Sequence, residues 1–271
     1  MKVRLRKKVA KERTPSESKR VWLFDLDNTL HDASHSAFAG INQAMTDYIV
    51  DHLVMTEEDA AALRTHYWHR YGATLLGLVK HHGVKQMHFL EQTHLLPGLE
   101  TRVRCSLPDR AALKRLPGRK FILTNAPRDY AMRVMNTLRL TECFDGIVCV
   151  EDMTMFGQHR PKPDARMFTH LAARLKVLPS RCVLVEDTLA HQRSAKCVGM
   201  RTVWMLRYLS ANQRASLRTP LSPGQNSAQS SSDSSAKVSV HPCRKPPYVC
   251  ARIKSIRRLR SLWCTRNDPS L

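Results

Sequence analysis

Val21-Trp-Leu-Phe-Asp-Leu-Asp-Asn-Thr-Leu30 decides how this chain is read, because four apolar residues run without interruption into two carboxylates. A continuous apolar run of that length suits a strand buried on both faces of a parallel sheet; a strand with one wet face would alternate. Asp25 and Asp27 stand two residues apart where the chain must turn, so both can reach one point in space. An isolated Asp-x-Asp also fits a plain strand-end turn completed by Asn28 and Thr29. Taken alone, the pair leaves both readings open.

Working outward, the residues after this strand change period. Phe38, Ile41, Met45, Tyr48, Ile49 and Leu53 recur at helical spacing between Ser36 and Leu53. Thr56 is placed to cap a second helix through Ala60–Arg70, with Asp59 at the capping-box position, and a third helix covers roughly Thr74–His81. Residues 31–100 thus read as wholly helical. Beyond them, strands and helices alternate. Lys120–Thr124, Gly146–Val150, Cys182–Glu186 and Arg201–Met205 read as strands. Asp129–Leu140, Asp164–Lys176 and Leu189–Val198 read as helices, the last stopped by Gly199. Such alternation predicts right-handed βαβ units, a doubly wound, Rossmann-like α/β sheet with helices on both faces.

In such sheets ligands bind outside the carboxyl ends of the strands. Here those ends are polar: Asp25, Thr124, Glu151 and Glu186-Asp187. With Asp187 arriving from a neighbouring strand, three acidic side chains can surround one hard cation such as Mg²⁺, which prefers carboxylate and carbonyl oxygens.

The net charge of +21 over 271 residues is concentrated at the ends. Residues 1–20 carry nine Lys/Arg against two Glu, and residues 207–271 carry twelve against two Asp, leaving 23 basic and 19 acidic residues between. The middle is therefore a nearly balanced globular sequence. The basic ends read as solvated tails or as weak, non-specific contacts for nucleic acid. The eight cysteines form no Cys-x-x-Cys pair and several sit in apolar runs, as expected of buried thiols in a reduced compartment. No His-Glu-x-x-His or other zinc spacing is present. With no apolar leader and no stretch near the roughly 20 residues that span a bilayer, the chain is expected to be soluble and cytoplasmic, without membrane contact. Residues 207–242 read as a Ser-rich disordered linker. Tyr248–Ile253 has a strand-like pattern and Ser255–Trp263 that of a basic helix. Residues 243–271 are then either the last strand and helix of the core or a basic tail.

Four segments together resemble the haloacid dehalogenase superfamily. Phe24-Asp-Leu-Asp-Asn-Thr-Leu30 is similar to its first motif at every position. Leu123-Thr-Asn125 resembles the second, Pro161-Lys-Pro163 the third and Val185-Glu-Asp-Thr188 the fourth, all in order across residues 21–206. The resemblance implies a core of residues 21–30 and 101–206, with a small helical cap at 31–100. It implies a Mg²⁺-dependent phosphatase in which Asp25 is the nucleophile and Asp27 the acid and base. Thr124 would bind a phosphoryl oxygen and Lys162 would neutralise phosphoryl charge. The implied metal ligands are Asp25, Asp187 and the Asp27 carbonyl. Glu186 is either a further ligand through water or an acceptor behind the ligands, the latter favoured. An acidic residue at position 27 separates phosphatases from dehalogenases, since departing halide needs no proton.

Closer still, Asn28-Thr-Leu-His31 and Tyr67-Trp-His-Arg-Tyr-Gly72 are similar to bacterial pyrimidine 5′-nucleotidases, which implies a nucleoside monophosphate substrate such as UMP or CMP. Trp68, Arg70 and Tyr71 are then candidates to bind substrate from the cap, the alternative being cap packing, and Asn125 and Arg128 are candidates from the core. His191 departs from that family's pattern, where Asn is expected. Sugar phosphates or phosphoglycolate are the alternative substrates, and nucleic-acid binding through the basic ends is the alternative of another kind.

Overall fold

The computed structural model describes residues 20–209 and 247–264. The arm of residues 1–19, the Ser-rich stretch 210–246 and residues 265–271 lie outside the described residues, and with them most of both basic ends.

Strand β1 (Val21–Phe24) is wholly buried at the centre of a six-stranded sheet. Its neighbours are β2 (Arg119–Leu123) and, beyond that, β3 (Gly146–Val148) on one side. On the other side lie β6 (Cys182–Glu186), β7 (Arg201–Met205) and β8 (Ala251–Ile253). The order is β3-β2-β1-β6-β7-β8 and every pairing is parallel. Residues alternate between two buried faces, as the pleat requires. Trp22, Phe24, Ile122, Val185 and Val203 meet one face cluster, while Val21, Leu23, Leu123 and Leu184 meet the other. Helix α8 (Arg128–Thr137) covers the first face; α9 (Ala165–Arg174) and α10 (Leu189–Cys197) cover the second. This is the doubly wound α/β core that the alternation predicts.

Between β1 and β2 the chain is helical throughout: α1 (Ala33–Ser36), α2 (Phe38–Leu53), α3 (Glu57–Tyr71), α4 (Thr74–His82), α5 (Gln86–Thr93), α6 (Leu99–Arg102) and α7 (Leu107–Arg115). Thr56 caps α3, its hydroxyl accepting the Asp59 N–H at 3.2 Å. The Asp59 carboxylate accepts the Thr56 hydroxyl in return, at 2.8 Å, so the reciprocal bond differs from a capping box. Gly72 ends α3 at φ 79°, a left-handed turn that a side chain would resist. The cap has its own core of Tyr48, Ile49, Tyr67, Leu78, Phe89 and Leu90, whereas Phe38, Ile41, Leu96 and Leu99 pack with the sheet.

Gly77 lets α3 and α4 touch: a Cβ there would fall 2.2 Å from Cγ of the buried Tyr67. Gly77→Ala is therefore expected to destabilise the protein by roughly 1–3 kcal/mol through overpacking. Thermal unfolding tests this, and an unchanged Tm would mean that Tyr67 is free to swing away.

Three features depart from the expected elements. The strand expected over Gly146–Val150 stops at Val148, and Val150–Asp152 turns into a 3₁₀ helix closed by the Asp152 carboxylate on the Cys149 N–H at 2.9 Å. A short hairpin, β4 (Thr154–Met155) and β5 (Gln158–His159), follows, where no strand is predicted. The strand expected over Tyr248–Ile253 is regular only at Ala251–Ile253, which pairs with Val203–Met205. Ahead of it, Val249 is buried against Trp204. Helix α11 (Arg258–Cys264) closes the described chain, and Leu259 enters the main core. Asp109 on α7 holds this segment in place, accepting the Ser255 hydroxyl at 2.6 Å and the Arg207 guanidinium. Among the described residues, no helix is long and apolar enough to cross a membrane.

Candidate active site

Because β1 lies between β2 and β6, the carboxyl ends of three strands converge. Asp25 follows β1 and its N–H extends the ladder to Val185 O at 3.0 Å; Thr124 follows β2 and does the same with Val148 O at 3.0 Å. Glu186 ends β6 and Asp187 is the next residue. Lys162 arrives on the loop after β5, 2% exposed. Its Nζ donates to Asp25 Oδ1 at 2.7 Å and to Glu186 Oε2 at 2.8 Å. Asn125 fixes that loop by gripping the backbone of Lys162 twice: its Nδ2 donates to the carbonyl at 2.8 Å and its Oδ1 accepts the N–H at 3.0 Å.

The charge balance is uneven. Burial, then Glu186, push the Asp25 carboxyl up to about 8 despite Lys162. Burial, followed by Glu186 and Asp25, raises Asp187 well above the carboxylate range. Burial also works against ionising Glu186, but Lys162 and then His191 outweigh it and hold that carboxyl below its usual range. Oxygens of Asp25, Glu186 and Asp187 lie within 4.8 Å of one another. If all three ionised, the carboxylates around one ammonium would carry excess negative charge, and an all-oxygen donor set of this kind fits a small hard dication that would favour their ionised forms. Both Glu186 oxygens are already engaged, Oε2 by Lys162 and Oε1 by the Thr188 N–H at 3.2 Å. Asp25 and Asp187 each have one oxygen in such a bond, Asp25 Oδ1 from Lys162 and Asp187 Oδ1 from the Thr188 hydroxyl, so they keep more acceptor capacity for a metal that all three carboxylates could reach. His191 Nδ1 stands 3.1 Å from Glu186 Oε2, outside hydrogen-bond geometry.

Asp27 faces the same cavity from the turn that follows. Asn28 adopts φ 56° there, and its amide bonds Ser34 at both the hydroxyl, 2.9 Å, and the N–H, 3.0 Å. One Asp27 oxygen, Oδ1, accepts the Tyr130 hydroxyl at 2.7 Å and faces His31 Nε2 at 2.9 Å. Thr124 is 1% exposed, and its Oγ1 accepts the Ala126 N–H at 3.1 Å, so its own proton points elsewhere.

The cavity, about 590 Å³, opens between these strand ends and the cap. Of the cap candidates, Trp68 lines it; Arg70 and Tyr71 do not, and the Tyr71 hydroxyl bonds His81 Nε2 at 2.5 Å. Arg128 does not line it either, because its guanidinium pairs with Asp152 and its N–H with Glu151 at 2.7 Å. Asn125 lines the cavity while its amide serves Lys162. Several lining or supporting residues were not singled out from the sequence: Asn42, Arg64, His94, Tyr130 and His159. Arg64 alone had a local signal, standing four residues before Trp68 on the same helical face. Burial pulls His94 down to about 4, so it is neutral at neutral pH, edge-on to the Tyr130 ring. His159, on the hairpin, meets Gln86 of the cap, Nε2 to Nε2 at 3.0 Å.

Fold and site together define a capped α/β protein whose acidic, lysine-bridged centre lies at the carboxyl ends of adjacent parallel strands. The chain belongs to the haloacid dehalogenase-like hydrolases, whose family model matches residues 19–199. Among curated proteins it is similar to Phosphate metabolism protein 8 of Saccharomyces cerevisiae, 24% identical over 198 residues, covering 69% of this chain and 61% of the yeast protein. It is also similar to Validoxylamine A 7′-phosphate phosphatase of Streptomyces hygroscopicus subsp. limoneus, 31% identical over 86 residues, 30% of this chain and 38% of that protein. The matches thus span less than two thirds of either relative's length. Among solved structures, a HAD phosphatase from Thermococcus onnurineus matches with TM-score 0.54 and 19% identity, covering 90% of this chain and 97% of that one. CbbY from Rhodobacter sphaeroides in complex with phosphate matches with TM-score 0.53 and 17% identity, covering 89% and 96%. At such identities the structures share the fold.

Proposed function

We propose that this hydrolase is a Mg²⁺-dependent phosphomonoesterase that carries the phosphoryl group on Asp25 and acts on pyrimidine nucleoside monophosphates, UMP and CMP. The observation that carries the reading is the Asp25 carboxylate, bonded by Lys162 Nζ at 2.7 Å in a cavity shared with Asp27 and Thr124. An anionic nucleophile approaches a phosphate dianion only where cations offset the repulsion. Lys162 supplies one. Mg²⁺ held by Asp25, Asp187 and the Asp27 carbonyl would supply the rest of the positive charge.

The Asp25 carboxylate attacks phosphorus and the ester oxygen leaves, taking a proton from Asp27. Tyr130 and His31 both hold Asp27 Oδ1, which reserves the other oxygen for proton traffic. The Asp27 carboxylate then takes a proton from water, which hydrolyses the aspartyl-phosphate and frees Asp25. Such acid-base help contributes about 10²–10⁴-fold. Thr124 donates its free hydroxyl proton to a phosphoryl oxygen. A dehalogenase would need no acid at position 27, which favours the phosphatase. A cavity of about 590 Å³ suits a nucleotide-sized ligand. The Streptomyces relative, a phosphatase for a 7′-phosphate by name, supports a second reading with sugar-like phosphates as substrates. We place the enzyme in the cytoplasm, in keeping with the buried thiols of Cys143, Cys149 and Cys182. To the basic ends we assign weak, salt-sensitive nucleic-acid contact.

Phosphate release from UMP, CMP, dTMP, AMP, GMP and several sugar phosphates, with Mg²⁺ and with EDTA, tests the reading. Metal-dependent release led by UMP and CMP is expected. Equal rates on sugar phosphates would keep the chemistry and remove the nucleotidase. No turnover of any monoester by folded protein would remove both.

A further inference from the structure

The cap contributes one cation to the cavity, and its surroundings say what it is for. Arg64 and Trp68 stand one turn apart on α3, and both line the cavity that contains Asp25. The Arg64 backbone is anchored by the Thr74 hydroxyl on its carbonyl at 2.9 Å. Its Nη1 donates to Asn42 Oδ1 at 3.0 Å, while its Nε is buried without a hydrogen-bond partner. Only one bond from Nη1 ties the guanidinium to Asn42, so the remaining Nη donors of this cavity-lining arginine are the ones an acceptor on a ligand would match. Asn42, which also lines the cavity, gives its oxygen to Arg64 and so holds the guanidinium in place at the cavity wall. Trp68, 56% exposed, presents a ring on which a planar group can stack.

Resting on the nucleotidase reading, we propose that Arg64, positioned by Asn42 beside Trp68, is the specificity-determining residue that reads the base, and that it selects cytosine over uracil. A guanidinium fork pairs best with two neighbouring acceptors. Cytosine offers such a pair in O2 and N3. In uracil N3 carries a proton, so every neighbouring pair on that edge contains a donor that would oppose Arg64. Ribose 5-phosphate carries the same phosphate with no ring and is the internal reference.

The test uses the full chain with Mg²⁺ and follows phosphate release from CMP, UMP, GMP and ribose 5-phosphate by wild type, Arg64→Met and Arg64→Lys. Wild type is expected to favour CMP over UMP. In Arg64→Met the ratio of kcat/KM for CMP to that for ribose 5-phosphate should fall roughly 10- to 100-fold, chiefly through KM. Arg64→Lys keeps the charge and stem without the fork; it should lose most of the same ratio, and it carries the comparison if the methionine variant fails to fold. An unchanged ratio in both variants would overturn the proposal. So would a wild-type preference for UMP, or for GMP, whose O6 and N7 form an acceptor pair on a larger ring. Wild type that hydrolyses ribose 5-phosphate but shows no base preference defeats this inference and leaves the phosphatase standing; wild type inert on all four defeats the phosphatase itself.

Discussion

Lys162→Met is expected to cost about 3–5 kcal/mol of stability in metal-free protein and to lower hydrolysis by about 10²–10³-fold. The lysine is buried between Asp25 and Glu186 and bonds both, so its removal leaves the ionised Glu186 out of water without its main counter-charge and strips the donor from Asp25. Burial alone would lower the pKa of this ammonium, yet Asp25 and Glu186 together raise it, which keeps it charged across the accessible range. Adding Glu186→Gln to Lys162→Met should recover part of the stability, because one buried charge then disappears, without recovering activity. Urea unfolding in EDTA measures the first effect and phosphate release the second. A single variant with an unchanged urea midpoint would show that water or a rotated side chain already neutralises the cluster.

Asp25→Asn should do the opposite to the two properties: hydrolysis falls to the assay background while metal-free protein becomes more stable. The Asp25 carboxyl titrates near pH 8 in the folded chain and near 3.8 in the unfolded one, so the folded state binds the proton more tightly. Asp25's own contribution to stability is then greatest below pH 3.8 and falls as pH rises through the window to about 8, by at most about 1.4 kcal/mol per pH unit for one proton. Asparagine has no proton to lose and abolishes that slope. The gain should therefore be largest at alkaline pH and vanish in acid, and Mg²⁺ should narrow it by offsetting the carboxylate charge in wild type. Equal pH dependence in both proteins would refute the assignment of the penalty to Asp25. A stabilising substitution that removes function is the expected mark of a site assembled for chemistry at the expense of the fold.

Much of the core could be read because the decisive signals are local. Val21–Phe24 is apolar on both pleat faces, the helices of 31–100 keep one period, and polar residues end the strands that meet. The site's inner shell follows from strand order, since β1 between β2 and β6 brings Asp25, Thr124 and Asp187 together wherever the loops lie. The cap's inward face was less legible. Three aromatic or basic neighbours, Trp68, Arg70 and Tyr71, occupy different azimuths of α3, and only the rotation of that helix on its neighbours decides that Trp68 and Arg64 face inward. Arg128 turns to Asp152, a contact made possible by a 3₁₀ turn where a continued strand is expected. The Tyr130 hydroxyl reaches Asp27 across 103 residues of sequence, a meeting that no local pattern encodes. The two-residue strands of the hairpin are too short to show a period.

That hairpin gives the molecule a linkage between its two parts. Gln86 belongs to the cap and His159 to the segment that reaches Lys162 three residues later, and the two side chains touch at 3.0 Å. A cap that swings away from the strand ends must first break this contact or draw His159 with it. The lysine's anchor is Asn125, on the opposite side of the loop, so the pull from the cap and the grip of the core act on the same short stretch of backbone. A displacement of the helical insert would thus be passed through His159 to the loop that carries Lys162, whose ammonium bonds Asp25.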